Sequence, residues 1–206
     1  MSNLQNNFIV FGPGGRCGSH WVEEMLRNIF NVSYAVGPFT PMSTGWIYHT
    51  NGKDDLLEMP SKIKNSATLV YCVRKNYFDV VISFLVAEIT DEWWHYTSKT
   101  VEPFVVDTAR FKTLLNDIHD YRTKEIPKDI LPLFSNAITI EFDNLISAEI
   151  PEAYVADLLG IDYVINENNC QPGNKNTRNY KDLILNWDEL VDIYKILGAG
   201  WTQNKF

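Results

Sequence analysis

Short apolar runs alternate along the chain with longer stretches in which apolar residues recur at helical spacing. The short runs predict four strands, at residues 7–13, 45–52, 67–76 and 136–145. The longer stretches predict helices at residues 19–30, 77–89, 111–126, 149–161 and 187–201, and a shorter one at 54–63 that Pro60 interrupts. Because strands and helices alternate, we expect an α/β fold of three layers, with a mainly parallel central sheet and helices on both faces.

Length and composition place the chain among compact globular proteins. Its 206 residues fit a single domain, residues 1–206, and no repeat or low-complexity segment marks a boundary. Hydrophobic residues make up 45% of the chain and aromatic residues 13%, which is enough for a substantial core. The net charge of −8 argues against nucleic acid or an anionic membrane as a partner, since both need a broad basic face.

Cysteine usage indicates a reducing compartment. Cys17, Cys72 and Cys170 are odd in number and widely spaced, so they predict neither a disulfide framework nor a zinc site. We expect Cys17 and Cys72 to be small buried residues. The N-terminal residues are polar and uncharged, and no apolar run approaches the length of a membrane span. We therefore expect a cytoplasmic protein.

The segment "FGPGGRCGSHW" joins the first predicted strand to the first predicted helix. Such a P-loop-like strand-loop-helix points successive backbone N–H groups at one spot, where the helix N-terminus adds partial positive charge. Arg16 supplies a full charge and Ser19 a hydroxyl donor. A Walker A loop needs G-K-S/T at its end, whereas Gly18 is followed by Ser19 and His20. The residues predict an anion site without the nucleotide-triphosphatase signature; a glycine-rich turn that only connects the two elements is the alternative.

A second stretch, "LVYCVRKNYFDVVISF", places two cations at the end of a predicted buried strand. Ligands of open α/β sheets bind at the carboxyl ends of strands, where Arg74 and Lys75 are expected. Ser83 follows about two helical turns later along the next helix. A guanidinium or ammonium group with a serine hydroxyl suits a phosphate monoester. Solvated cations at an ordinary strand end are the alternative interpretation.

Taken together, the two stretches resemble the sulfotransferases that use 3′-phosphoadenosine 5′-phosphosulfate (PAPS). The family carries P-K-S-G-T-T-W, or an R-S-G-S form, after its first strand, and this chain has "GRCGSHW" there. The residues that match in kind are Arg16, Gly18, Ser19 and Trp21. Cys17 and His20 depart from the motif by replacing hydroxyl residues.

The second family motif is an apolar strand followed by R-N-P-K-D-V-x-V-S, and this chain has "KNYFDVVIS". By spacing, Lys75 takes the place of the arginine and Ser83 that of the serine that holds the 3′-phosphate. Arg74 is kept as an alternative to Lys75, because a paired R-R-N form occurs in the family. The family's strand ending in K-T-H carries the general base, and "IYHTNG" puts His49 at a similar place, although the K-T-H context is incomplete.

The resemblance continues through "ITIEFDNLISAEIPEAYVADLLGI" and the basic loop "NKNTRNYKDLI", so it covers nearly the whole chain. It implies transfer of a sulfuryl group from PAPS, as donor cosubstrate, to a hydroxyl or amine acceptor such as a carbohydrate or small molecule. No metal is expected. The implied catalytic residues are His49 and Arg16. The implied donor-binding residues are Gly14, Gly15, Arg16, Cys17, Gly18, Ser19, His20, Trp21, Arg74, Lys75, Ser83 and Arg178.

Several alternatives stay open at the level of sequence. His20 or His95 can replace His49 as the base, since imidazole titrates near neutrality. A P-loop kinase with a degenerate loop is one competing function, and it requires ATP and magnesium. A member of the same fold that binds the nucleotide without turnover is another, favoured by the departures at Cys17 and His20. The sequence identifies neither the acceptor nor the oligomeric state.

Overall fold

The computed structural model describes residues 7–34, 45–91, 101–163 and 179–202. The predictions for His95 and Arg178 fall outside these residues. The chain divides into two compact units, and each is described by itself. The first unit combines residues 1–75 with 121–173, and the second combines residues 76–120 with 174–206. A single domain over the whole chain stays a prediction.

The first unit is built on a five-stranded sheet in the order β2-β3-β1-β4-β5. Its strands are β1 (Asn7–Phe11), β2 (Ser33–Tyr34), β3 (Trp46–Thr50), β4 (Thr68–Val73) and β5 (Ala137–Glu141). Every pairing between these strands is parallel, which confirms the predicted α/β class and its parallel sheet. The short strand β2 was not predicted, because two residues carry no periodic signal.

Helices of the described residues were largely predicted from their apolar spacing. They are α1 (Ser19–Phe30), α2 (Lys53–Glu58), α3 (Ser61–Ser66), α4 (Tyr77–Thr90), α5 (Thr108–Asp120), α6 (Phe142–Ser147), α7 (Pro151–Leu158), α8 (Tyr180–Leu183) and α9 (Trp187–Thr202). Pro60 separates α2 from α3, as expected. A π-helical segment, Tyr121–Ile130, follows α5 in place of the predicted continuous helix. This segment contains Pro127, which cannot donate a backbone hydrogen bond and disfavours regular α-helix.

Both faces of the sheet in the first unit are covered. Alternate residues of the central strand β1 face opposite sides. Phe8 and Val10 join a core with side chains of α1 and α7, whereas Ile9 and Phe11 join one with α2 and the π-helical segment. This burial on both faces explains why the strand is continuously apolar.

The second unit contains only helices and one short bridge among its described residues. Side chains of α4, α5 and α9 form its core, including Phe78, Phe111 and Leu190. An isolated parallel bridge joins Phe104 to Ile184. In the part of the chain that the structure describes, no helix is long and apolar enough to cross a membrane.

Candidate functional site

The loop between β1 and α1, residues 12–18 and here called the glycine loop, has an unusual backbone. Gly14, Gly15 and Gly18 have φ angles of 70°, 73° and 77°, and Arg16 has a φ of 58°. Left-handed conformations favour glycine, which explains why three glycines cluster here. Arg16 adopts the same conformation with a full side chain, so the surrounding structure must hold it there.

A buried guanidinium fixes this loop. Arg122 lies in the π-helical segment and is only 4% exposed. Its Nε and Nη2 donate hydrogen bonds to the carbonyl oxygen of Pro13 at 3.0 and 2.9 Å, and Nη2 also donates to that of Gly15 at 2.8 Å. Nη1 donates to the carbonyl oxygen of Arg74 at 3.3 Å. One side chain therefore ties the glycine loop to the end of β4.

This arrangement sets the direction of the loop's backbone donors. The C=O and N–H of a trans peptide point in opposite directions, so carbonyls turned toward Arg122 turn the N–H groups of Gly14 and Arg16 away from it. Gly14 N–H donates to the carbonyl oxygen of Asn51 at 3.3 Å. A Cβ atom built on Gly14 or Gly15 would meet no described atom within 4 Å. The loop therefore has room beside the α-carbons of Gly14 and Gly15 among the described residues.

Ser19 begins α1 and packs back against the loop. A Cβ atom on Gly12 would lie 2.4 Å from Ser19 Oγ and 2.8 Å from Cys17 Sγ, so only glycine leaves room for this turn. Cys17 is buried, as predicted, and burial raises the pKa of its thiol. Its side chain belongs to the core, which leaves only its backbone for the donor-binding role that the resemblance implies.

Two histidines and a buried carboxylate meet beside Ser19. His49, in β3, places Nε2 2.9 Å from Ser19 Oγ and Nδ1 3.4 Å from Glu23 Oε2. His20 places Nδ1 3.3 Å from the same carboxylate oxygen, and its ring lies edge-on to His49 at 4.1 Å. Burial, and to a lesser extent repulsion by His20, lowers the pKa of His49 from 6.5 to about 4. His49 is therefore neutral at physiological pH.

The end of β4 is held by acidic residues from β5 and α6. Lys75 Nζ lies 2.7 Å from Glu141 Oε1, and Lys75 N–H donates to Asp143 Oδ2 at 3.3 Å. The side chain of Lys75 is 70% exposed, so this ion pair is weakly held. The guanidinium of Arg74 lies over the ring of Phe142, 5.1 Å from its centroid.

Phe142 connects this strand end with the glycine loop. A Cβ atom on Gly18 would lie 2.3 Å from Phe142 Cδ2, so the loop needs glycine there for space as well as for its backbone angle. The indole of Trp21 meets the same ring edge-on at 6.4 Å. Phe142 was predicted as the continuation of a strand, but it begins α6. Its aromatic ring thus lies between residues of the two predicted anion-binding stretches.

Ser83 belongs to the second unit. It is buried in α4, and the hydroxyl of Tyr180 lies 3.3 Å from its Oγ. Its predicted role toward the 3′-phosphate stays a prediction, as does that of Arg178. Within the first unit the structure brings together the glycine loop, Ser19, His20 and His49.

Arg122 and Glu23 were missed by sequence reasoning, although a signal exists for both. Glu23 lies between Val22 and Leu26 on the apolar face of α1, where a carboxylate is unexpected. Arg122 likewise follows Ile118 by four residues and precedes Ile126 by four, in line with an apolar helical stripe. A charged residue at a core-facing position predicts a buried polar contact, although it does not identify the partner.

No family model matches the sequence, and no curated protein matches it either. The resemblance to PAPS-dependent sulfotransferases therefore depends on the motifs quoted above. The α/β class with a parallel sheet agrees with that resemblance without being specific to it.

Proposed function

We propose that this protein binds PAPS and transfers its sulfuryl group to a hydroxyl or amine acceptor. The observation that supports the proposal is the contact of one buried guanidinium, Arg122, with both predicted anion-binding stretches. β1 and β4 are adjacent parallel strands, so their carboxyl ends lie at the same edge of the sheet. A nucleotide with phosphate groups at two positions needs two such anchors.

Each anchor has its own part in this proposal. The glycine loop, the N-terminus of α1 and the side chains of Arg16 and Ser19 hold the 5′-phosphosulfate. Arg74 and Lys75 hold the 3′-phosphate. Lys75 can exchange Glu141 for phosphate at small cost because the ion pair is exposed.

The reaction displaces phosphate at sulfur. The acceptor oxygen forms a bond to sulfur, the bond from sulfur to the bridging oxygen breaks, and 3′-phosphoadenosine 5′-phosphate (PAP) leaves with the electron pair. Catalysis of such a transfer consists mainly of positioning and of stabilising charge on the leaving phosphate, which Arg16 and the loop N–H groups supply. The acceptor's proton goes to a base. His49 stays our candidate, and the exposed His20 beside it is the second residue to test.

One observation favours a second function, in which the protein binds the nucleotide without turnover. His49 has a pKa of about 4, and a general base works best with a pKa near the working pH. Its Nε2 also contacts Ser19 Oγ rather than an acceptor in this structure. Tight binding of PAP without sulfuryl transfer to any acceptor would identify this case.

The proposal is tested with 35S-labelled PAPS and a panel of carbohydrate, phenol and amine acceptors. Arg16→Ala should lower kcat by about 10²–10³, because Arg16 acts on charge that develops on the leaving phosphate during transfer. It should also weaken PAP binding more than PAPS binding, because PAP carries that charge in full. Arg27→Ala removes an exposed arginine of the neighbouring helix and serves as the control. An Arg16→Ala protein with normal kcat and only a raised KM would contradict the catalytic role. Equally efficient use of ATP with magnesium would favour a kinase instead.

A further inference from the structure

We propose that His20, Glu23 and His49 form a site for one divalent transition metal ion, best suited to Zn²⁺. The bound ion determines whether the Ser19 hydroxyl donates its hydrogen bond to His49 or to an anion in the glycine loop. The nearest ligand atoms of the three residues lie within 4.8 Å of one another. His20 and Glu23 are three residues apart on α1 and share a face, and His49 comes from the adjacent strand β3. Two imidazoles and a carboxylate are a known ligand set for zinc with an open fourth position.

The two distances from Glu23 to the histidines match the edge of a tetrahedral site. Zinc–nitrogen and zinc–oxygen bonds of about 2.0–2.1 Å imply edges of roughly 3.3 Å between ligands. Glu23 Oε2 lies 3.3 Å from His20 Nδ1 and 3.4 Å from His49 Nδ1. Both contacts are longer than the roughly 2.7–2.9 Å of a charge-assisted hydrogen bond.

The burial of the Glu23 carboxylate is a second, independent observation that supports the same site. Its side chain is 1% exposed, and its Oε1 is buried with no hydrogen-bond partner among the described residues. A buried carboxylate oxygen without a partner is costly, because it has lost its water and gained nothing in return. Both histidines face the other oxygen, Oε2, and a divalent cation there neutralises the charge that the carboxylate shares between its two oxygens.

Ser19 connects this site to the glycine loop. A histidine that binds a metal through one ring nitrogen donates a hydrogen bond from the other. With Nδ1 of His49 on the metal, Nε2–H donates to Ser19 Oγ across the observed 2.9 Å, and the Ser19 hydroxyl hydrogen is available to an anion in the loop. Without metal, an Nδ1–H tautomer of His49 instead accepts that hydrogen. The metal would thus strengthen anion binding. A His49 that binds metal through Nδ1 and donates from Nε2 has no nitrogen left for the acceptor's proton, so the metal-loaded protein suits nucleotide binding without turnover. The proposal therefore departs from our sequence expectations of no metal and of His49 as the base.

Metal binding is measured on chelator-treated protein with Co²⁺ and then Zn²⁺, by visible absorption and calorimetry, without nucleotide. We expect one ion per chain, the intense visible bands of tetrahedral Co²⁺ and their loss on adding Zn²⁺.

His20→Gln and Glu23→Gln should each lower Co²⁺ affinity roughly tenfold or more. His119→Gln, which removes a histidine outside the site, should leave it unchanged. Since His20 is exposed, its variant tests the site even if Glu23→Gln does not fold. No binding, or equal binding by all three variants, would overturn the proposal.

The link to the loop is tested with inorganic sulfate as the anion. Zn²⁺ should strengthen sulfate binding by about fivefold or more, and sulfate should strengthen Zn²⁺ binding by the same factor. In Ser19→Ala, Zn²⁺ binding should persist while this coupling disappears. Equal coupling in Ser19→Ala would refute the role of Ser19. A protein that binds Zn²⁺ but not PAP would refute the proposed function and support the metal site. A protein that binds PAP but not Zn²⁺ would refute the metal site and support the proposed function.

Discussion

The glycine loop after β1 and the segment after β4 end adjacent strands at the same edge of the sheet, but they are built differently. Buried polar side chains support the glycine loop: Arg122, Ser19 and Glu23 are each 4% exposed or less. The cation after β4, Lys75, is 70% exposed and paired with Glu141. One anchor is therefore fixed by the core and the other by surface charges.

This difference has a physical consequence for ligand binding. Donors that are already oriented lose little entropy on binding and stabilise developing charge most effectively. An exposed lysine gives up rotamer freedom and an existing ion pair when it binds an anion. In the proposed function, the glycine loop therefore suits the reacting end of the nucleotide, and the segment after β4 suits a part that only needs to be held.

Loss of the Arg122 guanidinium should have the largest effect. Arg122→Met leaves the buried carbonyl of Pro13 and the partly buried carbonyl of Gly15 without this donor, and we expect a loss of about 4 kcal/mol in the free energy of unfolding. Urea unfolding measures this loss, and PAP affinity should fall in parallel. Lys128→Met removes an exposed cation from the same π-helical segment and should cost little. Similar stabilities for the two variants would contradict the role of Arg122.

Acid pH should weaken the support of the glycine loop. The folded protein disfavours protonation of His49, whose pKa is about 4 rather than 6.5, so this contribution is complete above pH 6.5 and is lost as pH falls toward 4. The expected loss is about 3 kcal/mol, from 1.36 kcal/mol per pKa unit. Urea unfolding of metal-free protein at several pH values measures it, and His49→Gln should flatten this part of the profile.

A free energy of unfolding that falls as pH rises from 5 to 7 would point to a different cause of the His49 pKa. If the carboxylate of Glu23 dominated over burial, the pKa of His49 would exceed 6.5 and this contribution would be lost as pH rises. Stability that is greater at pH 5 than at pH 7 in the wild type, and not in His49→Gln, would contradict our account of this cluster.

Two alanine substitutions within the glycine loop separate backbone strain from packing. Gly14→Ala should cost about 1 kcal/mol, because its φ of 70° is strained but the new methyl group meets no described atom within 4 Å. Gly18→Ala has the same strain and also drives the methyl group into Phe142, so we expect about 2 kcal/mol more. Thermal unfolding of the pair measures the difference. Equal losses would show that the Phe142 contact is unimportant.

The smallest effect on stability should come from the segment after β4. Lys75→Ala removes an exposed ion pair with Glu141 and should change the free energy of unfolding by less than about 1 kcal/mol. Urea unfolding checks this value. A loss as large as that of Arg122→Met would mean that the two anchors do not differ in the way described here.

Local patterns were enough to predict much of the first unit. The apolar run of β1 and the helical spacing of α1 depend on neighbouring residues, and α1 spans Ser19–Phe30, as predicted. The glycines and the burial of Cys17 were also predictable, because they reflect local backbone and packing demands.

The partners of the buried polar residues were not predictable. Arg122 and Pro13 are 109 residues apart, and no local pattern specifies that they meet. His49 was singled out by its place at a strand end, but its contacts with Ser19 and Glu23 depend on the register between β1 and β3. The helix that begins at Phe142 was missed because its six residues, Phe142–Ser147, are too few to show helical spacing of apolar positions.

The central claim is that the two strand ends hold a nucleotide with both a 5′- and a 3′-phosphate group. Calorimetry with PAP, adenosine 5′-phosphate and ATP with magnesium tests it on the wild type and on Lys75→Ala and Arg74→Ala. We predict that PAP binds most tightly and that loss of the cation contacting the 3′-phosphate weakens PAP binding by about 1.5–3 kcal/mol. Adenosine 5′-phosphate, which lacks that group, should be affected little. Binding of ATP with magnesium as tightly as PAP, or equal losses for PAP and adenosine 5′-phosphate in both variants, would contradict the account.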